Sequence, residues 1–195
     1  MIKTINMLLD ELQKYSSPYD KISRMVKNKE IYPIVKGIYE TNQKVSPYLL
    51  AGSIYGPSYI SFEYALSYYG MIPETVYTVT CATYNKKKKK QYKTNFGNFI
   101  YRDIPNEAFP LEIKTIKEEG YYYRIATPEK AICDKVYTLK PIGKTNDMIK
   151  TLIEDLRIDE SEIKKLNTDS IMEISEYYHA TNMKKLCNAI RRIQR

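Results

Sequence analysis

The hydrophobic positions of the chain follow a helical period near both ends and a period of two between them. Near the N-terminus, an apolar stripe at three- and four-residue spacing predicts an amphipathic helix over residues 2–12. Residues 75–83 and 91–104 alternate β-forming residues, and residues 111–126 form two such runs around a glycine, which predicts paired strands. From residue 144 onward the helical spacing returns, so the chain contains both helices and strands.

Cap and turn residues predict a second, short helix that starts near residue 18. Ser17 suits the N-cap, and Pro18 suits the first helical position. Its buried face would consist of Ile22, Met25 and Val26. The opposite face is basic and rich in hydrogen-bonding groups, and it comprises Tyr19, Lys21, Ser23, Arg24, Lys27 and Asn28.

Directly after this helix, residues 30–40 form two short β-type runs around a turn at Val35, Lys36 and Gly37. Helix, helix and hairpin is the element order of a winged-helix module. In such a module the second helix faces a major groove, and Lys36 at the hairpin tip contacts the phosphate backbone. The alternative is a small helical cap whose polar face meets only water.

The region after residue 45 begins with turn-rich helices. Ser46 and Pro47 predict a helix start, the sequence "GPS" interrupts it, and a new helix runs from Ser58 or Ser61 to Gly70. Thr127, followed by Pro128, predicts the start of another helix. We therefore expect an α+β protein with a winged-helix-like DNA-binding domain over residues 1–45 and a larger mixed domain over residues 46–195.

Charge predicts the kind of partner. The 195-residue chain has a formal net charge of +8, which favours a polyanionic or acidic partner. Part of the excess lies in a predicted solvated loop over residues 85–90 between paired strands, and part lies at the C-terminus. This secondary basic patch comprises Lys86, Lys87, Lys88, Lys89, Lys90, Lys93, Arg191, Arg192 and Arg195.

Several classes of protein are disfavoured by residues that the chain lacks. Cys81, Cys133 and Cys187 are widely spaced and odd in number, so we expect buried thiols and neither disulfides nor a zinc cluster. His179 is the only histidine, and no glycine-rich phosphate loop is present, so we expect no metal and no cofactor. No apolar run is long enough for a membrane span, and no signal peptide is visible, so we expect a cytoplasmic protein without a membrane partner.

One set of residues could be catalytic. Asp103, Glu112 and Lys114 match in residue type the acidic and basic groups with which many nucleases bind a divalent metal and orient a water. A metal-dependent nuclease is therefore the alternative function. The other interpretation is that the three residues are ordinary charged positions of solvated strands, because charged residues alternate along any exposed strand. In that case they have no catalytic function.

Four separated motifs resemble one family. "PSYISFEYALSYYGMIPE" is similar to the segment that marks the AbiEi antitoxins of type IV toxin–antitoxin systems, which are linked to abortive phage infection. The likeness continues through "TVTCAT", "FGNFIYRDI" and "IATPEKAICD" in the family's order, and it covers roughly residues 17–140.

The resemblance implies an autorepressor that also counters a nucleotidyltransferase-like toxin. In the family, a winged-helix N-terminal domain represses the protein's own operon, and a C-terminal domain opposes the toxin. The segment "SRMVKNKEIYPIVKGIY" matches the recognition helix and wing, so Arg24, Lys27 and Lys36 become the best candidates for contact with operator DNA. The resemblance implies no catalytic residue, so we expect no enzyme.

Overall fold

The computed structural model describes all 195 residues, which form nine helices and two β-sheets. The first 45 residues build the smaller sheet and two helices. Their elements are β1 (Ile2–Thr4), α1 (Ile5–Glu11), α2 (Pro18–Lys27), β2 (Tyr32–Val35) and β3 (Ile38–Glu40). The sheet is antiparallel, with the order β1-β3-β2.

The helix predicted over residues 2–12 is wrong at its start. Residues 2–4 form β1, because they pair with β3 in the register Ile2 to Glu40. The Thr4 hydroxyl then accepts a hydrogen bond from the Met7 amide and caps α1. The helix predicted from residue 18 and the hairpin around Gly37 are confirmed.

Two separate groups of apolar side chains stabilise the chain. A small cluster joins α1 and α2 through the buried residues Leu8, Leu12 and Ile22, against which Met25 and Val26 pack. Ile31 also belongs to this small cluster. All other buried apolar residues form one large core, which includes Ile34 and Val45. The N-terminal part therefore has its own apolar cluster and also packs onto the remainder of the chain.

The larger sheet has six strands and mixed directions. These are β4 (Tyr59–Ile60), β5 (Val79–Thr83), β6 (Lys90–Thr94), β7 (Gly97–Asp103), β8 (Ile113–Glu118) and β9 (Tyr121–Ala126), in the order β6-β7-β5-β4-β9-β8. The β8–β9 hairpin is confirmed. Glu119 and Gly120 in its turn have φ angles of 49° and 81°, which is typical of tight hairpin turns.

Three expectations about this region are corrected. Residues 59–60 form β4 and not a helix, because they pair with β5 on one side and β9 on the other. The strand expected from residue 75 begins only at Val79. The basic loop after β5 does not join paired strands, since β7 lies between β5 and β6 and runs parallel to β5.

Helices cover both faces of the sheet. They are α3 (Ala51–Ile54), preceded by a 3-10 turn over Pro47–Leu50, then α4 (Phe62–Tyr68), α5 (Pro128–Tyr137), α6 (Thr145–Lys150), extended by a π-turn over Thr151–Asp155, α7 (Glu160–Lys165), α8 (Thr168–Glu176) and α9 (Thr181–Ile193). None of them is both long and apolar enough to cross a bilayer.

Cross-strand neighbours show which helices lie on which face. Tyr59 and Arg102 pair with the same residue of β5, so their side chains lie on the same face of the sheet. There Tyr59 donates a hydrogen bond to Asp134 of α5, and Arg102 donates to Glu63 of α4. Tyr101 points to the opposite face, where its hydroxyl donates to the Ala51 carbonyl of α3. The C-terminal helices pack around α5, which completes a three-layer arrangement.

Candidate nucleic-acid interface

One face of α2 is open to solvent along the whole helix. Ile22 is buried against α1, and this orientation turns the polar residues outward. Tyr19 is 64% exposed. The other predicted contact residues of this face are exposed, apart from the half-buried Lys21, and they are Ser23, Arg24, Lys27 and Asn28. The structure therefore brings these six residues together on one surface.

The cations of this surface, like Lys36 in the hairpin turn, form no ion pair. None of Lys21, Arg24, Lys27 and Lys36 forms a salt bridge, although the chain contains nine ion pairs elsewhere. The Lys21 ammonium lies 5.6 Å from the centroid of the Tyr15 ring. Arg24 and Lys27 thus form no ion pair, although the exposed carboxylate of Asp20 lies on the same face of α2, four residues before Arg24.

The two hydrogen-bonding residues of this face already have local partners. The Ser23 hydroxyl donates to the Tyr19 carbonyl at 3.0 Å, and the Asn28 amide donates to the Glu30 carboxylate at 3.1 Å. Their free hydrogen-bonding capacity is smaller than the sequence suggests. The basic side chains therefore carry most of the interaction capacity of the surface.

Lys36 lies in the turn between β2 and β3. It is exposed, and the next residue, Gly37, has a φ of 79° that favours glycine. The Gly37 carbonyl accepts a hydrogen bond from the Ile5 amide at 2.8 Å, so the turn sits beside the start of α1. A fixed turn of this kind holds Lys36 at a defined point next to the helix pair.

The secondary basic patch is split between two parts of the fold. The Lys86 and Lys87 amides donate to the Asp103 carboxylate at 2.7 and 2.6 Å, which fixes the start of the loop, while Lys90 and Lys93 lie on the edge strand β6. The remaining loop residues, Lys88 and Lys89, are exposed, and Arg191 and Arg192 lie on α9 with Arg195 after it. The loop and β6 lie at one edge of the sheet, whereas α9 packs on α5, α6 and α8. The two groups therefore do not form one continuous surface.

The structure does not bring the nuclease candidates together. Asp103 ends β7 and Lys114 is the second residue of β8, and three strands lie between them, which corresponds to roughly 19 Å at normal strand spacing. The strand directions also place Asp103 and Glu112 at opposite ends of the sheet. Asp103 instead accepts hydrogen bonds from Thr83 and the lysine loop. No group of three metal-ligating side chains is present in the chain.

A buried ionic network is the feature that the sequence did not reveal. Lys130 and Asp134 of α5 are fully buried, with 3.5 Å between the ammonium and the carboxylate. The hydroxyls of Tyr59 and Ser61 donate to Asp134 at 2.9 and 2.6 Å. Tyr178 donates to Asp134 and accepts from Lys130, which also donates to the Ala108 carbonyl. This network joins the motif "PSYIS" to the motif "TPEKAICD".

Burial sets the protonation behaviour of this network. It lowers the pKa of Lys130, against the opposing attraction of Asp134. It also raises the pKa of Tyr59 and Tyr178 well above the usual value, and the nearby Asp134 carboxylate adds to that effect. The groups are sealed from solvent and bonded to one another, so they fasten β4, α5 and the segment before α9 together.

The single histidine and the three cysteines lie outside the surfaces described above. His179 is exposed, and its ring lies 2.9 Å from the Glu107 carboxylate. Cys81, Cys133 and Cys187 are free and buried, as predicted. Burial raises the pKa of the Cys81 and Cys133 thiols, which makes both poor nucleophiles at neutral pH.

The chain matches no protein-family model and no curated protein.

Proposed function

We propose that the chain is a DNA-binding autorepressor and antitoxin of the AbiEi kind, which counters a nucleotidyltransferase-like toxin. The observation that carries the DNA-binding half is the exposed face of α2, where Arg24 and Lys27 are exposed and form no ion pair. Exposed cations grouped on one helix face are typical of a phosphate-binding surface.

The element order supports a winged-helix interpretation. A helix, a second helix and a hairpin follow one another in α1, α2, β2 and β3, and β1 completes the sheet. In a winged helix the second of these helices lies in the major groove and the hairpin contacts the backbone. The positions of Arg24, Lys27 and Lys36 fit that division of contacts.

The antitoxin half rests on the sequence motifs. Two of them, which contribute Tyr59 and Asp134, meet in the buried network of the larger part of the chain. A structural role of this kind accounts for buried charged residues in a binding protein that has no catalytic group. In this proposal the protein is not an enzyme and acts through its surfaces.

The DNA-binding proposal predicts a measurable salt effect. Arg24→Ala combined with Lys27→Ala should weaken binding to duplex DNA from the region upstream of the gene. If each side chain contacts one phosphate, the slope of log affinity against log salt should shrink by about 1.8. Fluorescence anisotropy titrations at several salt concentrations measure both quantities.

The matched control for this variant removes the same charge elsewhere. Lys140→Ala combined with Lys150→Ala changes two exposed lysines, neither of which forms an ion pair, and should leave the slope unchanged. Equal slopes for the two double variants would contradict a DNA surface on α2.

The antitoxin proposal predicts that the two activities separate. Cells that express the toxin encoded beside this gene should survive when they also express the Arg24→Ala and Lys27→Ala variant, because α2 lies outside the larger part of the chain. Colony counts measure protection, and a reporter driven by the upstream region measures repression. A variant that loses repression and protection together would show that the two activities share the α2 surface.

A further inference from the structure

A cavity of about 230 Å³ opens where β4 and β9 run side by side in the six-stranded sheet. Tyr48, Tyr59 and Tyr123 line it, and α3 supplies Gly52 and Ser53 at its wall. Its volume lies below the range of roughly 300–1,000 Å³ that holds a whole drug-sized ligand. The cavity therefore accommodates a single chemical group of a larger molecule.

An unpartnered hydroxyl lies in the wall of this cavity. Ser58 is only 2% exposed, and its Oγ has no hydrogen-bond partner. Buried hydroxyls of this kind almost always have a partner, because an unmade hydrogen bond in a low-dielectric surrounding is costly. The Oγ atom itself is closed to solvent, so a group in the cavity reaches it only when the Ser58 side chain turns toward the cavity.

The rim of the cavity combines an aromatic ring with positive charge. Tyr122 is 68% exposed, and the Lys117 ammonium lies 5.6 Å from the centroid of its ring. Arg124 donates one hydrogen bond to the Ser58 carbonyl at 3.0 Å and forms no salt bridge. Its other N–H groups can donate to an anion at the rim.

We propose that this cavity receives one unstacked base of a single-stranded nucleic acid. The base stacks on the exposed Tyr122 ring, and the Ser58 side chain turns to bond it, while Lys117 and Arg124 contact the flanking phosphates. Aromatic side chains beside basic ones are the means by which proteins hold single strands. The site lies on a different element from the α2 surface, so it is independent of the proposed duplex binding.

Three single variants test the cavity on the full chain. Gly52 lines the cavity and no atom lies within 4 Å of a Cβ placed there, so Gly52→Leu adds a side chain at the cavity wall without a clash at its Cβ. It should abolish binding of a fluorescein-labelled oligouridylate or oligothymidylate. Tyr122→Ala should weaken binding by at least about fivefold, which is the lower end for one lost stacking contact. Ser58→Ala should weaken it about two- to tenfold.

Stability and control measurements separate binding from folding. Ser58→Ala removes an unpartnered hydroxyl, so its melting temperature should stay at or above that of the parent protein. Tyr77 is 85% exposed and lies outside the cavity, so Tyr77→Ala should leave affinity unchanged. The variant with Arg24→Ala and Lys27→Ala should also retain single-strand binding.

Other outcomes overturn the proposal. Unchanged oligonucleotide affinity in folded Gly52→Leu would show that the strand does not use the cavity. A mononucleotide that binds as tightly as the strand would assign the cavity to free nucleotides instead. Binding lost in the Arg24→Ala and Lys27→Ala variant but kept in all three cavity variants would place single-strand contact on α2.

Discussion

Asp134→Ala should lower the free energy of unfolding by about 3–5 kcal/mol, which is the usual cost of removing one partner of a buried ion pair. The change leaves the Lys130 ammonium buried without a counter-charge, and it deprives the Tyr59, Ser61 and Tyr178 hydroxyls of their acceptor. Urea unfolding followed by far-ultraviolet circular dichroism measures the difference.

A surface pair at the same spacing is the matched control. Glu160 and Lys164 are also four residues apart on a helix, but each side chain is 53% exposed. Glu160→Ala should therefore change stability by no more than about 0.5 kcal/mol. A double variant with Lys130→Met and Asp134→Leu should recover part of the loss, because no unpaired charge remains. An Asp134→Ala cost as small as that of Glu160→Ala would show that the network adds little.

Local signals predicted the elements that depend on local chemistry. Pro18 fixed the start of α2, and Gly120 marked the β8–β9 turn, since both residues restrict or extend the backbone at their own position. Thr127 accepts a hydrogen bond from the Lys130 amide and caps α5 as predicted. Each of these outcomes needs only a few neighbouring residues.

The wrong predictions concern elements that depend on distant partners. β4 has two residues, and Ile60 becomes a strand residue because it pairs with Cys81 and Ile125. β5 and β7 are parallel neighbours, and nothing in the sequence shows that β5 pairs with β7 and does not form a simple hairpin with β6. Pairing over such separations depends on the whole core and not on local propensity.

The candidate sites divide in the same way. The helical period alone predicted which side of α2 faces outward, but the lack of a carboxylate partner for Arg24 became visible only in the folded chain. Lys130 and Asp134 lie four residues apart on a helix with apolar neighbours, which is a signal that could have indicated burial. The cavity joins Gly52, Ser58 and Arg124 across the sheet, so no local pattern contains it.

The free energy of unfolding should fall steeply with pH in the alkaline range, because the buried tyrosines of the folded protein resist ionisation. Burial raises the pKa of Tyr59, Tyr101 and Tyr178, so these phenols stay protonated in the folded state. Below the ordinary pKa of about 10, the unfolded state is protonated as well and pH has no effect through these groups. Above it, the unfolded state ionises alone, and the stability falls as pH rises.

The expected slope is large enough to measure with one substitution. Each such phenol lowers the free energy of unfolding by about 1.4 kcal/mol per pH unit above pH of about 10, so the three together give about 4 kcal/mol per unit. Domains are typically stable by only about 5–15 kcal/mol, and unfolding within a few pH units follows. Urea midpoints over this range should show a smaller slope for Tyr101→Phe, by about 1.4 kcal/mol per unit, whereas Tyr77→Phe should match the parent protein because Tyr77 is 85% exposed. Identical slopes in all three proteins would mean that the Tyr101 phenol, although bonded to the Ala51 carbonyl, reaches solvent and ionises before the fold is lost.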